Sequence, residues 1–394
     1  MREKREKMEI KTIKAAVVGC GAISDIYMQN LTERFQVIKL VACTDLNEER
    51  MQQQAKKYHL QAGSWQEILE NPEIEMVINL TNPKAHYQIT RAALEHKKHV
   101  FSEKMIAVSL EEGKELCRLA KENGVRLGVA PDTFLGGSIQ TARYIVEKGL
   151  IGEVLSAVVS LNRNFDIFGD ILPHLHKEGG NLPFDCGCYY MTALASIIGP
   201  AKRVCGFARL HQPERINRRV GAPAFGEKVQ VEAENIVTAA VEYGNGVLAT
   251  VHFNSESLLD ERPCLELYGT EGILIMGDPN RFESPVSVKK MLGETLHFPF
   301  THGYTQNARG VGAAEMAWAI RQDRPHRAGM EMAFHVFELI HGMLISARTG
   351  QFYELESGFE MPEALPAGYL DNGFWGPTEE SALALSDGFC LFSS

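Results

Sequence analysis

Residues 19–24 read Gly-Cys-Gly-Ala-Ile-Ser and follow directly on the apolar run Ile-Lys-Ala-Ala-Val-Val at residues 13–18. A short apolar run that ends in two closely spaced glycines predicts a strand, a tight turn and the start of a helix. Gly19 would make the turn, and Gly21 would bring the backbone close to an anion at the helix N-terminus, where unpaired N–H groups point outward. Ala22 and Ile23 belong to the same anion-facing turn, while Ser24 stands where this pattern usually has a third glycine. A second apolar run, residues 37–44, ends in Asp45, at the spacing of an acid that accepts hydrogen bonds from the adenine-side ribose of a dinucleotide. Strand, turn, helix, strand and acid together predict a dinucleotide site. Asp45 would repel a 2′-phosphate, so NAD is the expected cofactor and NADP the less favoured one.

The pattern that surrounds this motif extends it into a domain. From residue 12 to about 132, short apolar runs alternate with helical periodicity, which predicts a doubly wound parallel sheet of the Rossmann type. Residues 76–80 and 99–104 read as later strands, with a helix between them carrying Ala85, Ile89, Ala92 and Ala93 on one face. Ser109 and Glu112 form a capping-box pair that opens another helix, and residues 125–130 close the unit as a sixth strand. Past Pro131 the pattern changes. Residues 138–148 read as a helix, and residues 154–162, 229–243 and 246–255 as long strands, the last two joined by the hairpin sequence Tyr-Gly-Asn-Gly. Helices return at 312–322 and 330–349, so residues 133–356 are expected to form an α+β domain built on a large, mainly antiparallel open sheet. One face of such a sheet is left over for a second subunit, which predicts a homo-oligomer, a dimer or tetramer. Residues 357–394, rich in glycine, proline and aromatic residues, are expected to be an extension that packs on the protein or on a neighbour.

With 394 residues, two domains are the expected solution, because single cores stop growing near this size. The charge balance, 40 basic against 50 acidic residues, offers no basic stripe for a nucleic acid. No apolar run has membrane length, and the apolar stretch after the charged N-terminus is a short strand rather than a signal core. The eight cysteines are scattered and mostly inside apolar segments, which predicts reduced thiols and a cytoplasmic protein. Cys186 and Cys188 are spaced too tightly for a zinc pair, so no metal is expected.

Two further motifs lie where a dinucleotide enzyme needs them. Thr81, Asn82, Pro83 and His86 follow the fourth strand, and ligands of doubly wound sheets bind outside the carboxyl ends of strands. These four residues either face the cofactor groove or form a plain loop into a helix, with Asn82 setting the turn. Glu103 and Lys104 end the next strand. A lysine beside a nicotinamide can hold a substrate hydroxyl and ease its deprotonation, and Glu103 could bond the nicotinamide-side ribose.

The glycine turn, the 81–86 loop, Glu103-Lys104 and the later stretch 178–194 together resemble the glucose-fructose oxidoreductase / inositol dehydrogenase / rhizopine-catabolism (Gfo/Idh/MocA) family over residues 12 to about 350. That resemblance implies a catalytic lysine at Lys104, with Met105 in place of the usual proline. It also matches Asp185 and Gly187 to the family's second motif, puts Tyr189 at the position of its reactive histidine and Thr192 at that of its last aspartate. Loss of both the imidazole and that carboxylate argues against a metal there.

The residues support the same chemistry without the family. Oxidising a secondary alcohol needs a base for the hydroxyl proton while a hydride leaves the carbon. Tyr189 is the candidate base, its phenol expected to be lowered by the Lys104 ammonium. Asp185 would hold the substrate hydroxyl or orient Lys104. Substrate contacts are placed at Arg163 and His176, chosen over the other loop histidines, His174 and His302, together with Lys104, Asp185 and Tyr189. The expected activity is hydride transfer between NAD and a ring hydroxyl or keto group of a sugar, polyol or glycoside, for example C3 of a glycoside. Two alternatives remain open: a glycosidase that oxidises transiently and eliminates, and an NAD-binding regulator without catalysis.

Overall fold

The computed structural model describes residues 11–167, 172–257 and 264–366. Six strands come first: β1 (Ile13–Val18), β2 (Ile38–Thr44), β3 (Gln61–Ala62), β4 (Met76–Asn79), β5 (His99–Ser102) and β6 (Leu127–Val129). They form one parallel sheet in the order β3-β2-β1-β4-β5-β6. In that order β1 and β4 are neighbours whose crossover helices leave on opposite sides, so their carboxyl ends frame a crevice. All four residues of β4 are buried, as expected of a central strand covered on both faces.

The connecting helices are α1 (Ser24–Gln29), α2 (Glu48–Tyr58), α3 (Trp65–Glu70), α4 (Pro83–Glu95) and α5 (Leu110–Asn123). Each of the last four has a side chain that satisfies an orphan N–H of its first turn. Asn47 and Asn82 cap α2 and α4, and Ser64/Glu67 and Ser109/Glu112 form full capping boxes on α3 and α5. The capping box expected at Ser109 is therefore present, and Gly124 at φ +65° ends the helix it opens.

The second domain begins with α6 (Gly137–Glu147), β7 (Val154–Asn162), α7 (Cys188–Ile198) and β8 (Ala201–Arg209). Next come β9 (Glu214–Ile216), β10 (Lys228–Gln230), β11 (Ile236–Tyr243), β12 (Leu248–Asn254), β13 (Cys264–Gly269), β14 (Gly272–Met276), β15 (Val286–Lys290) and β16 (Thr295–Phe298). The described chain ends with α8 (Val311–Arg321), α9 (Met330–Thr349) and β17 (Tyr353–Glu354). Nine strands form one sheet, β16-β15-β14-β13-β7-β12-β11-β8-β17. Only the central β7–β12 pair among them is parallel. α9 packs on the sheet at its β11-β8-β17 end, with Phe337, Ile340, Met343 and Leu344 buried, and α6 on β14 and β15.

One expected strand divides. Residues 229–243 split into β10, which pairs with β9 in a separate two-stranded ribbon, and β11 in the main sheet. Between them the polar stretch Glu-Ala-Glu-Asn turns its N–H groups elsewhere, Glu232 to the His176 carbonyl and Asn235 to that of Arg209. The hairpin at 243–247 forms as expected, with Gly246 at φ +89° and Tyr243 N–H on the Val247 carbonyl at 2.9 Å.

Late in the chain α8 returns to the first sheet. Arg321 Nη2 donates to both oxygens of Glu75, at 2.8 and 2.9 Å, and Asn30 donates to the carbonyls of Asn307 and Arg309. The start of the C-terminal extension is tied down by its backbone: Leu365 N–H donates to Gln140 at 2.8 Å, and Arg143 reaches the Pro362 carbonyl at 2.6 Å. The rest of that extension, from residue 367, lies outside the described residues. No helix among the described residues is long and apolar enough to cross a membrane.

Candidate active site

Gly19 occupies a position that only glycine fits. Its φ is +99°, and a Cβ there would lie 2.8 Å from the carbonyl carbon and oxygen of Leu80, at the end of β4. A Cβ on Gly21 would meet no atom within 4 Å, so this backbone lines an open groove. Ser24, in place of the third glycine, folds its hydroxyl back onto the Gly21 carbonyl at 2.7 Å and so occupies the tight helix start without obstructing it. The Cys20 N–H donates to Asp45 Oδ2 at 2.7 Å, binding the glycine turn to the acid at the end of β2. Burial works against the Asp45 charge, but the N–H groups of Asn47 and Cys20 and the Arg50 guanidinium, 3.0 Å away, hold its carboxyl below the usual range. Beside it Leu46, which the sequence reading passed over, is a fully exposed apolar side chain. Turn, open groove and ionised acid fit the phosphate and ribose groups of a dinucleotide.

The 81–86 loop holds itself rather than presenting its side chains. Thr81 donates to Asn79 Oδ1 at 2.7 Å, Asn82 accepts from Ala85 N–H as the cap of α4, and Pro83 is the first helical residue. His86 departs from the groove-facing expectation. Its ring is buried, with Nδ1 2.7 Å from the Met105 carbonyl and Nε2 3.0 Å from that of Thr81, and burial lowers its proton affinity. A neutral imidazole has one N–H, so it donates to one of these carbonyls while the ring packs between the loops after β4 and β5. Glu103 also points inward: one carboxylate oxygen accepts the Tyr27 hydroxyl at 2.7 Å and the other the Lys104 N–H at 3.1 Å.

Lys104 and Asp185 meet across 81 residues of sequence, Nζ lying 2.6 Å from Oδ1 and 2.7 Å from the Asp185 carbonyl. Lys104 leaves the sheet at the carboxyl end of β5, and Asp185 sits in the wide π turn Pro183–Gly187 that leads into α7. Their side chains are only 16% and 22% exposed. Burial alone would lower the lysine and raise the acid, but each partner outweighs it, so the ammonium is held well above and the carboxylate below the ordinary range. Asp185 thus pairs with Lys104, an arrangement consistent with orienting it.

Tyr189, in the first turn of the wholly buried α7, is 7% exposed, and the Lys104 ammonium lies 5.5 Å from its ring centre. Here the expectation needs correction. Burial is the largest influence and pushes the phenol above its ordinary value, while Lys104 and Arg309 only oppose that rise. The substrate expectations also change. Arg163 forms an ion pair with Asp278 at 3.0 Å, and buried His176 faces Arg215 and Asp166. His302 is buried, its Nε2 on the Leu365 carbonyl at 2.8 Å. The loop histidine that faces the Lys104–Asp185 pair is His174, and burial lowers its proton affinity. Arg309, absent from the sequence reading, faces Tyr189, Tyr27 and Asp132. No local motif marks it, since it follows β16 and enters the site only because α8 folds back.

Known proteins resemble this chain over both domains. Residues 13–130 match the model of an oxidoreductase family with an NAD-binding Rossmann fold, and residues 139–275 that of the GFO/IDH/MocA C-terminal domain. The trans-1,2-dihydrobenzene-1,2-diol dehydrogenase of Bos taurus is 24% identical over 298 residues, 73% of this chain and 80% of that enzyme. The scyllo-inositol 2-dehydrogenase (NADP(+)) of Bacillus subtilis (strain 168) is 28% identical over 160 residues, 40% of this chain and less than half of that enzyme, 44%. A levoglucosan dehydrogenase solved in complex with NADH has the same fold, with a TM-score of 0.76 at 16% identity, covering 88% of this chain and 100% of that one. With both domain models matched in order around one cofactor groove, the chain belongs to the Gfo/Idh/MocA family of NAD-dependent oxidoreductases.

Proposed function

We propose that the protein passes a hydride between NAD and a ring hydroxyl or keto carbon of a neutral sugar, polyol or glycoside. The observation that carries this reading is the Lys104–Asp185 pair, an ammonium fixed at 2.6 Å beside Tyr189 at the carboxyl end of β5. The Gly19–Gly21 turn and Asp45 would hold NAD, which when bound would accept the hydride in oxidation and, as NADH, donate it in reduction. Lys104 would bind the reacting oxygen and stabilise negative charge on it, because its own charge is fixed by Asp185. Tyr189 would take the hydroxyl proton in oxidation and return it in reduction. His174 would lie at the substrate side of the pair.

The names of relatives, a scyllo-inositol dehydrogenase, a dihydrobenzenediol dehydrogenase and a levoglucosan dehydrogenase, support a sugar or polyol alcohol as the substrate class. C3 oxidation of a glycoside is the specific form we favour testing first. Purified protein is offered a panel of sugars, polyols and glycosides with NAD, with NADH absorbance and the isolated product both followed. Turnover that survives in both Lys104→Ala and Tyr189→Phe would remove these residues from the chemistry. Absence of NADH or keto product on every member would sink the reading.

We further propose that the outer face of the nine-stranded sheet joins two copies. It presents exposed Phe207 and Leu248 among small residues such as Ala240 and Thr250. Sedimentation of a monomer at micromolar concentration would remove that proposal.

A further inference from the structure

The short helix α1 buries Ser24, Tyr27 and Met28, positions whose spacing puts them on one face. The Tyr27 ring packs beside Leu31 and Gly310: a Cβ on Gly310 would lie 3.5 Å from that ring and 3.3 Å from Leu31. A phenylalanine would fill the same slot. What it would lack is the hydroxyl, and the hydroxyl of a fully buried tyrosine needs a partner. The Tyr27 hydroxyl donates to Glu103 Oε1 at 2.7 Å, across 76 residues of sequence.

Glu103 is itself buried, and its backbone N–H continues the β4–β5 pairing onto the Asn79 carbonyl at 2.8 Å. Its other carboxylate oxygen, Oε2, accepts the Lys104 N–H at 3.1 Å. One residue further on, the Met105 carbonyl lies 2.7 Å from the buried His86 ring. The main chain that carries Lys104 is therefore held from β4, from α4 and, through the Glu103 carboxylate, from α1. The ammonium at the far end of the side chain is held from the second domain, by Asp185 at 2.6 Å. A carboxylate largely out of water is costly unless its oxygens have donors. Without the Tyr27 hydroxyl, Oε1 loses its donor, and the carboxylate is released to turn toward the ammonium of the adjacent residue in competition with Asp185.

We propose that Tyr27 is a positioning residue for hydride transfer: its hydroxyl pins the Glu103 carboxylate, which keeps the main chain at Lys104, and with it the ammonium, in place. This rests on the reading of Lys104 as the residue that binds the reacting oxygen. The bland alternative is that Tyr27 only fills the space between α1 and the start of α8. Tyr27→Phe keeps that space filled, so on the alternative it changes nothing at Lys104.

Two readouts on the full chain separate these. The first needs no substrate: deuterium uptake is followed by mass spectrometry in peptides that cover residues 103–106. In Tyr27→Phe the Lys104 amide is expected to exchange about fivefold faster than in the wild type, the effect of losing the hold of one hydrogen bond, while β1 keeps its rate. The second readout is kinetic. With the best substrate, Tyr27→Phe is expected to lower kcat about 10- to 100-fold, the scale of a misplaced catalytic group, and to leave NADH affinity within about twofold. In the Glu103→Gln background the same substitution should add little, because both changes break one chain of contacts. Should Tyr27→Phe not fold, Glu103→Gln carries the exchange test, since an amide that accepts from Tyr27 turns its NH2, a donor, toward the Lys104 N–H. Equal uptake at residues 103–106 in the wild type and the variant overturns the proposal, as does a loss confined to NADH affinity or an undiminished kinetic loss in the Glu103→Gln background. If the wild type oxidises no sugar or polyol, the functional reading fails while the exchange still decides whether Tyr27 holds Lys104.

Discussion

Replacing Asp185 by leucine separates what the Lys104–Asp185 pair does for the fold from what it does for the reaction. The variant leaves the Lys104 ammonium, 16% exposed, without the carboxylate 2.6 Å away that offsets its desolvation. Breaking one side of a largely buried pair costs about 3 kcal/mol, whereas replacing both sides by apolar groups of similar volume is close to neutral. We therefore expect the thermal midpoint of Asp185→Leu to fall by roughly 6 °C, at about 2 °C per kcal/mol for a chain of this size, while Lys104→Met/Asp185→Leu recovers most of that loss. Both proteins should be inactive on any substrate of the wild type.

The pH dependence gives an independent sign. In the wild type the lysine's affinity for its proton is raised in the folded state, so its contribution is complete below its unfolded value and is lost at higher pH. In Asp185→Leu the Glu103 charge remains, but burial, the largest influence, lowers that affinity. The unfolded chain then binds the proton more tightly, and the stability deficit shrinks as pH rises toward about 10. Midpoints measured by calorimetry between pH 7 and 10 test both statements. A double variant as unstable as Asp185→Leu would refute the reasoning, because the pair would then be stabilising in its own right rather than a charge arrangement kept for chemistry.

The glycine turn gives a matched contrast: Gly19→Ala meets the Leu80 backbone at 2.8 Å with φ +99° and should lose at least 2 to 3 kcal/mol of stability along with NADH binding, by about the usual cost of such strain. Gly21→Ala, whose Cβ meets nothing, should keep its thermal midpoint and still weaken NADH binding in a fluorescence titration; equal midpoints for the two would contradict the geometry. Asp45→Ala removes the acid and releases Arg50, 3.0 Å away, to meet a 2′-phosphate, so the ratio of NAD to NADP affinity should fall by about tenfold or more; an unchanged ratio removes Asp45 from the ribose site. His99 and His341 are each held down to about 4, burial being the largest cause, so stability is complete above about 6.5 and falls as pH drops toward 4. Each contributes about 3 kcal/mol to that loss, and His341→Met, which keeps the slot between Phe184 and Phe337 filled, should shift acid unfolding to lower pH; an unshifted acid limb would count against it.

The parts of the site that were readable from the sequence are those specified within a few residues. The β1 run and Gly19, the acid after β2, the Ser109/Glu112 cap and the strand that leads to Lys104 each depend on local pattern; the last ends at Ser102, two residues earlier than its pattern put it. The resemblance brought Asp185 and Tyr189 into view, but not the 2.6 Å contact, since nothing local encodes a partner 81 residues away. His86 misled because a histidine in the first turn of a helix after a strand looks the same in sequence whether its ring faces a groove or two carbonyls. The division of residues 229–243 was hidden because Val229 and Gln230 continue the strand pattern while their partner, β9, lies in a separate ribbon.

Tyr189 shows why composition near a site does not settle its chemistry. From sequence, a lysine nearby suggested a phenol made more acidic; in the folded protein the same helix that brings the phenol to Lys104 buries it, and burial is the larger influence. One ammonium at 5.5 Å from the ring centre only partly offsets the lost hydration, and the Arg309 charge, which also opposes the rise, comes from the segment just before α8, the helix that folds back onto the first sheet. The return that packs α8 against β6, with Asp132 holding the amides of Gly310 and Gly312, therefore also shapes the electrostatics around the phenol.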